Sequence, residues 1–315
     1  MATTQTPPAT GSVKAGGKHS GGSGGGRFQT DRAKAERKLG LKLAAPAAIV
    51  MLAVTAYPIG YALYLSLFRY DLRTPDQNAF VGFDNYALIL TSSVWWQAVL
   101  STTVITVVSV ALELVLGLAL ALVMHRALSL RRSVRVAILV PYGIITVISA
   151  YAFAFAVAPD TGFIGDGDPL GSRLGGWAVI ILTEVWKTTP FMSLLLLAGL
   201  ASVDESLQEA AKVDGATATQ RLFRVTLPNM KGAILVALLF RALDAFRIFD
   251  TVYVQTAGAF ETQTISGLGY NALITRVNLG LGSAISILLF LFIILIAFIF
   301  VKGFKTNLGT VKGEG

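Results

Sequence analysis

No charged residue interrupts the 26 residues from Leu43 to Phe68. As an α-helix this stretch would be about 39 Å long, which exceeds the roughly 30 Å hydrocarbon thickness of a bilayer. The mean hydropathy of the whole chain is +0.66, and 54% of its 315 residues are hydrophobic whereas 14% are charged. A water-soluble domain of this composition would expose too much apolar surface. The chain is therefore predicted to be an all-α membrane protein.

Six apolar runs are long enough to cross a bilayer. The predicted spans are residues 43–68, 98–124, 134–158, 177–200, 232–257 and 283–301. They define a membrane domain over residues 41–305, which includes a polar loop at 201–231. Residues 1–40 are rich in Gly, Ser, Thr and Lys, which predicts a disordered basic tail, and residues 306–315 form a short second tail.

The distribution of Lys and Arg predicts the orientation of these spans, because cytoplasmic loops carry the excess of positive charge. Residues 1–42, 125–135, 201–231 and 302–315 together hold nineteen of the 26 basic residues. The loops on the opposite side hold four, namely Arg69, Arg73, Arg173 and Arg276. Both termini and the 201–231 loop are therefore predicted to be cytoplasmic. This topology accounts for the net charge of +8, so anionic lipid is an expected partner and nucleic acid is not.

The 201–231 loop contains a pattern for two short helices separated by a tight turn. Ser206 with Glu209, and Thr217 with Gln220, have the spacing of capping boxes. Gly215 lies between them and suits a left-handed helix stop. Such a helical hairpin either docks into a partner protein or covers the cytoplasmic end of its own chain, and the pattern alone leaves both interpretations open.

Nine residues of the fourth and fifth spans are candidates for a substrate path. They are Glu184, Trp186, Lys187, Arg241, Asp244, Arg247, Asp250, Tyr253 and Gln255. The four charged residues of the fifth span follow one another at i, i+3, which predicts an alternating ladder on one helix face. Ionisable groups within a membrane span usually mark a substrate or ion path. The alternative is that the ladder neutralises itself and attaches the helix to a neighbour.

The aromatic candidates suit stacking on the apolar face of a sugar ring, while the carboxylates and the amide suit hydrogen bonds to its hydroxyls. For Tyr253 an interfacial anchor is the competing interpretation. Glu113 of the second span has no basic residue near it in its own helix, so it needs a base from another helix or must stay protonated.

The sequence predicts no catalytic residue, no metal site and no bound cofactor. The chain has no Cys and only two His residues, which lie far apart. The nearest approach to a phosphate-binding loop is at Gly16–His19, where the Ser or Thr that would hold magnesium is missing. If ATP drives transport, the ATPase must be a different chain.

The 201–231 loop resembles the EAA loop of bacterial ABC-importer permeases. The residues that match are Glu209, Ala210, Ala211, Asp214, Gly215, Ala216, Phe223, Leu227 and Pro228. The resemblance implies the type I ABC importer permease fold in a bacterial cell membrane, and it implies that these residues couple the chain to a dimeric cytoplasmic ATPase that binds ATP and Mg. It also implies a second homologous permease subunit and an extracytoplasmic sugar-binding protein or lipoprotein as partners.

Outside this loop the chain is similar to the MalF/UgpA-type sugar permeases over roughly residues 40–300. The runs EVWKTTPFMSLLLLAGL and LLFRALDAFRIFD resemble trehalose-importing members, so the resemblance implies a carbohydrate substrate, a disaccharide such as trehalose. The loop GAFET at 258–262 departs from the Gly-Gly-Pro that is common in this family. An ion-gradient-driven secondary carrier or channel and a non-transporting scaffold are the alternatives, and both leave the EAA match unexplained.

Overall fold

The structure, a computed structural model, describes residues 31–126, 131–164 and 167–309. Its α-helices are α1 (Asp31–Ser66), α2 (Asp84–Thr91), α3 (Ser93–Arg126), α4 (Arg131–Gly143), α5 (Thr146–Ala156), α6 (Arg173–Ala201), α7 (Glu205–Val213), α8 (Ala218–Arg221), α9 (Leu227–Asn229), α10 (Lys231–Ala245), α11 (Asp250–Gln255), α12 (Ile265–Tyr270) and α13 (Leu279–Gly309). Two strands, β1 (Phe68–Arg69) and β2 (Ala79–Phe80), pair antiparallel. Two π-helical turns occupy Leu222–Thr226 and Asn271–Thr275.

Four of the described helices are long and apolar enough to cross a membrane, namely α1 from Lys38, α3, α6 and α13 up to Gly303. Two further crossings are possible if each of two bent helix pairs counts as one span. The structure is therefore helical with four to six candidate spans, and the architecture agrees with the predicted all-α membrane fold.

The described residues divide into two compact units, which meet in sequence between Ala56 and Tyr57. In the first unit, α1 begins at Asp31, although the sequence predicted a disordered tail as far as residue 40. The segment from Asp31 to Leu41 is rich in Ala, Lys, Arg, Glu and Leu, which are strong helix formers, and this explains the earlier start. The rest of the predicted tail, residues 1–30, lies outside the described residues, as do residues 310–315 of the predicted C-terminal tail.

The predicted third span, residues 134–158, is not one straight helix. Helix α4 ends at Gly143 and α5 begins at Thr146, and the two are inclined at 91°. Pro141 lies in the last turn of α4, where it lacks the N–H that a continuing helix would use. Ile145 is extended, with φ −60° and ψ 135°, so the chain changes direction there.

The predicted fifth span, residues 232–257, is also interrupted. Helix α10 ends at Ala245 and α11 begins at Asp250, although neither Gly nor Pro marks the break. The Ile248 carbonyl in the gap accepts a hydrogen bond from Thr264 Oγ1 at 3.2 Å. This partner sixteen residues away offsets the loss of a helical hydrogen bond, so tertiary contacts replace the local helical pattern here.

Helix α6 lies at the centre of the second unit and is more buried than α13. It packs against α3 and α10 through a core that includes Val110, Met192, Leu196 and Ala237. Gly117 of α3 allows α6 to pack closely, since a Cβ there would lie 2.8 Å from Met192 Cγ. Small residues at such crossings are typical of helices packed within membranes.

Candidate functional site

A polar cavity of about 430 Å³ lies between α4, α5, α6 and the junction of α10 with α11. Five of the predicted substrate-path residues line it: Glu184, Lys187, Asp244, Arg247 and Asp250. Glu184 and Lys187 share one face of α6 because they are three residues apart. The break between α10 and α11 brings the other three to the same cavity. We call this the polar cavity.

The charges of the fifth predicted span do not form a continuous ladder. Arg241 Nη1 donates to Asp244 Oδ2, as the i, i+3 spacing predicts. The helix then ends at Ala245, so Arg247 and Asp250 are no longer on the same helical face. Within the described residues Arg247 forms no salt bridge. The prediction of a four-residue ladder on one helix is therefore wrong beyond Asp244.

Beneath the polar cavity lies a buried ion pair between two helices. The Arg241 guanidinium donates from Nε to Glu113 Oε2 at 2.6 Å and from Nη2 to Glu113 Oε1 at 2.9 Å. Thr188 Oγ1 of α6 donates to the same carboxylate at 2.7 Å. The side chains of Arg241 and Glu113 are 1% and 0% exposed. The expectation that Glu113 finds a base on another helix is confirmed.

Glu184 and Lys187 contact two different helices. Within the described residues they form no salt bridge with each other. Thr251 Oγ1 of α11 donates to Glu184 Oε1 at 2.5 Å. Lys187 Nζ lies 5.6 Å from the centroid of the Tyr142 ring of α4, a distance at which a cation is attracted to the ring face. These contacts attach α6 to both neighbouring walls of the cavity.

Four predicted substrate-path residues do not line the polar cavity, namely Trp186, Arg241, Tyr253 and Gln255. Trp186 packs against Phe153, with ring centroids 5.6 Å apart. Gln255 is buried and its Nε2 donates to Thr183 Oγ1 at 2.7 Å. The sequence pattern therefore did not separate residues that face the cavity from those that pack beside it.

Tyr253 belongs to an aromatic cluster beside the polar cavity. Its ring centroid lies 5.3 Å from those of both Phe249 and Tyr270. A hydrogen bond with Tyr253 raises the pKa of the Tyr270 phenol. Phe249 lines the polar cavity on one side and a smaller cavity of about 40 Å³ on the other. The cluster thus offers aromatic surface next to the charged groups.

Sequence reasoning missed the neutral groups of the site. Tyr142, Thr146, Thr188 and Thr251 also line the polar cavity. Thr251 donates to the cavity carboxylate of Glu184, and Thr188 donates to the buried carboxylate of Glu113. Thr and Tyr are common in membrane helices, so their residue type alone does not indicate this position. The only local signal was the position of Thr188 one helical turn after Glu184.

The second candidate region is the segment Glu205–Asn229, which we call the coupling segment. Helix α7 is capped by Asp204, whose Oδ1 accepts from the Ser206 backbone N–H at 2.9 Å, and this hydrogen bond lowers the pKa of Asp204. The predicted capping box of Ser206 with Glu209 is therefore wrong, because a better-placed acid precedes it. The predicted box of Thr217 with Gln220 is confirmed, with reciprocal hydrogen bonds of 3.3 and 2.8 Å.

Gly215 has φ +78°, as predicted for a left-handed helix stop. The Ala216 N–H bonds to the Ala211 carbonyl at 2.9 Å, and the Gly215 N–H bonds to the Lys212 carbonyl at 3.1 Å. This pair of bonds is a Schellman motif, which requires positive φ at the glycine position. The turn between α7 and α8 is thus fixed by Gly215.

The coupling segment exposes large apolar side chains. Val213, Phe223 and Leu207 are 86%, 62% and 44% exposed. Gln208 Nε2 of α7 donates to Thr226 Oγ1 of the first π-helical turn at 2.7 Å, which holds the two halves of the segment together. A polar segment that is internally fixed and presents apolar side chains to solvent is suited to binding another protein.

Comparison with known proteins defines the class of protein. Residues 113–308 match the family "Binding-protein-dependent transport system inner membrane component", and the chain belongs to this family. It is a multi-pass membrane protein and the permease subunit of an ATP-driven ABC importer, without a catalytic function of its own. The alternatives of an ion-gradient-driven carrier or a scaffold are not supported.

Individual relatives agree with this class. The trehalose transport system permease protein SugA of Mycobacterium tuberculosis is 55% identical over 281 residues, which cover 88% of this chain and 92% of the relative. The trehalose/maltose transport system permease protein MalF of Thermococcus litoralis is 35% identical over 278 residues, which cover 85% of this chain and 94% of the relative. A crystal structure of a bacterial ABC transporter involved in the import of the acidic polysaccharide alginate contains a chain with a similar fold, with a TM-score of 0.73 and 22% sequence identity. The match covers 88% of this chain and 98% of that chain. That structure supports the type I importer fold.

Proposed function

We propose that this permease subunit conducts a neutral disaccharide, such as trehalose, through the polar cavity. The observation that carries the proposal is the mixed set of charged groups around this cavity, with three carboxylates and two bases. Its volume of about 430 Å³ falls within the range of roughly 300–1,000 Å³ that is typical of small-molecule sites. The names of the two sequence relatives, both of which transport trehalose, support the same substrate class.

The charge balance of the polar cavity favours a neutral ligand. Carboxylates accept hydrogen bonds from sugar hydroxyls, while Lys187 and Arg247 donate to hydroxyl or ring oxygens. Since acids outnumber bases, an anionic sugar would meet net repulsion in addition to its cost of desolvation. The aromatic cluster of Phe249, Tyr253 and Tyr270 would provide a stacking surface for the apolar face of a sugar ring. Packing without sugar contact remains the alternative for Tyr253.

We further propose that the coupling segment docks into a cytoplasmic ABC ATPase dimer through the nine EAA residues. The exposure of Val213 and Phe223 supports a partner surface there, and the ATPase would carry ATP and Mg. The other proposed partners are a second homologous permease subunit, an extracytoplasmic sugar-binding protein or lipoprotein and membrane lipid. This chain would bind no cofactor and no nucleic acid. It would lie in the bacterial cell membrane with both termini in the cytoplasm.

The proposed orientation predicts which single-cysteine variants an impermeant reagent can label. The chain has no Cys, so any label reports only the introduced residue. Val213→Cys, at the most exposed apolar position of the coupling segment, should not react with an impermeant maleimide in intact cells. It should react once cells that express the chain without its ATPase are permeabilised, because the ATPase would cover this position. Asp160→Cys, in an exposed loop predicted to lie outside, serves as the control and should react without permeabilisation. Labelling of Val213→Cys from outside intact cells would refute the orientation.

The proposed substrate site predicts the effect of Asp244→Asn on transport. The substitution keeps the shape of the side chain but removes a charged acceptor from the polar cavity. Because a hydrogen bond to a charged group contributes about 1.5–3 kcal/mol, the apparent KM for uptake of labelled trehalose should rise about tenfold or more. Membrane levels of the protein, measured by immunoblot, should stay normal.

The matched control for this variant is Asp160→Asn, an acid-to-amide change in an exposed loop, which should leave uptake unchanged. Unlabelled neutral disaccharides should compete with labelled trehalose more strongly than carboxylated sugars. If Asp244→Asn lowers the amount of protein while the remaining protein transports with wild-type KM, the charge is only structural and the proposed site is wrong.

A further inference from the structure

Asp244 differs from the other carboxylates near the polar cavity in how it is held. Its side chain is 67% exposed, whereas the guanidinium that binds it, Arg241, is 1% exposed. An exposed aspartate on a helix surface ordinarily samples several rotamers at little cost. Here a buried, immobile cation binds one of its oxygens and limits that freedom.

The position of Arg241 is fixed by Glu113. A guanidinium is planar and presents its N–H groups in a rigid fork. Glu113 takes two of these groups, from Nε and Nη2, so the orientation of the plane is set from α3. The remaining terminal nitrogen, Nη1, then points to Asp244. Thr188 of α6 holds the Glu113 carboxylate from the other side.

The buried pair alone does not require this arrangement. Two packed apolar side chains of similar volume often stabilise a fold as well as a buried ion pair does. Such a replacement would preserve the contact between α3 and α10. It would not supply an N–H group directed at the cavity wall, which is the feature that only a guanidinium in this orientation provides.

We infer that Arg241 is a positioning residue for the sugar site: held by Glu113, it fixes the Asp244 carboxylate so that its free oxygen accepts a hydrogen bond from a substrate hydroxyl. The inference rests on the proposed function of the polar cavity. Arg241 does not itself line the cavity and acts only through Asp244. Fixing the acceptor beforehand removes the entropy cost of ordering it when the sugar binds.

The test measures uptake of labelled trehalose by the complete transporter and separates KM from the maximal rate. Arg241→Lys retains the positive charge for Glu113, but an ammonium lacks the planar fork and cannot hold both carboxylates in the same geometry. We expect the KM to rise about tenfold while the maximal rate per transporter changes less than twofold. An unchanged KM would overturn the inference.

A double variant covers the case in which Arg241→Lys fails to fold. Glu113→Met with Arg241→Met replaces the buried pair by apolar side chains, so the protein should reach wild-type membrane levels and still show the raised KM. Adding Asp244→Asn to this double variant should raise the KM by less than it does in the wild-type background, because the changes at Arg241 and Asp244 act on the same hydrogen bond. A double variant with wild-type KM, or a fully additive effect of Asp244→Asn, would contradict the positioning function.

The outcomes also distinguish this inference from the proposed function on which it rests. If the wild-type transporter takes up no neutral disaccharide, the proposed function fails. If it does, and Asp244→Asn raises the KM whereas the Arg241 variants do not, the cavity binds sugar without the help of Arg241 and only the positioning inference fails.

Discussion

Replacing Gly215 by Val should abolish most ATP-driven uptake while the protein inserts into the membrane normally. The glycine has φ +78°, a conformation that costs a residue with a Cβ roughly 1–2 kcal/mol and costs a β-branched residue more. Among the described residues, apart from the glycine and its two chain neighbours, no heavy atom lies within 4 Å of the position that a Cβ would take. The expected effect therefore comes from the backbone and not from a clash. The Schellman turn should open and misplace α8 relative to α7.

The measurements are uptake of labelled trehalose, ATPase activity of the assembled complex and co-purification with the ATPase. We expect uptake to fall at least tenfold, with either weak co-purification or hydrolysis that no longer drives transport. Gly215→Asn is the matched control, because Asn tolerates the left-handed region and should retain most of the activity. If Gly215→Val assembles with the ATPase and supports wild-type uptake, the coupling segment only covers the cytoplasmic end of its own chain.

Replacing Arg241 alone by Met should destabilise the fold more than any other single change discussed above. It leaves the Glu113 carboxylate, which is 0% exposed, without its cation. Removing one partner of a buried ion pair typically costs about 3–5 kcal/mol. The Tm of the purified protein in detergent should therefore fall by roughly 10 °C, and less protein should accumulate in the membrane.

The double variant Glu113→Met with Arg241→Met is the matched control for stability. It removes the unpaired charge together with its partner, so most of the lost Tm should return. If Arg241→Met keeps the wild-type Tm, the carboxylate is either protonated or hydrated, and the ion pair does not stabilise the contact between α3 and α10.

The coupling segment could be predicted largely from sequence because its structure follows local rules. The reciprocal capping of Thr217 with Gln220 and the positive φ of Gly215 depend on residues within one or two helical turns. The one local error, the N-terminal cap of α7, arose where two signals overlapped. Asp204 and Ser206 both qualify as caps, and the residue nearer the preceding turn is the one used.

The polar cavity could be predicted only in part because it depends on contacts between distant residues. Glu113 and Arg241 are 128 positions apart, and no periodicity relates them. The interruption between α10 and α11 is equally non-local, since the Ile248 carbonyl in the gap accepts a hydrogen bond from Thr264. The sequence therefore identified the charged residues, while their grouping into a cavity wall and a buried pair required the structure.

The central claim is that this chain is the membrane subunit of an ATP-driven importer that moves a neutral disaccharide through the polar cavity. Its most direct test is uptake of labelled trehalose into vesicles that contain the complete transporter and its binding protein, with and without ATP and with an ionophore present. The account predicts that uptake requires ATP and is unaffected when the ionophore collapses ion gradients. Uptake that proceeds without ATP, or that stops when the gradients are removed, would contradict it.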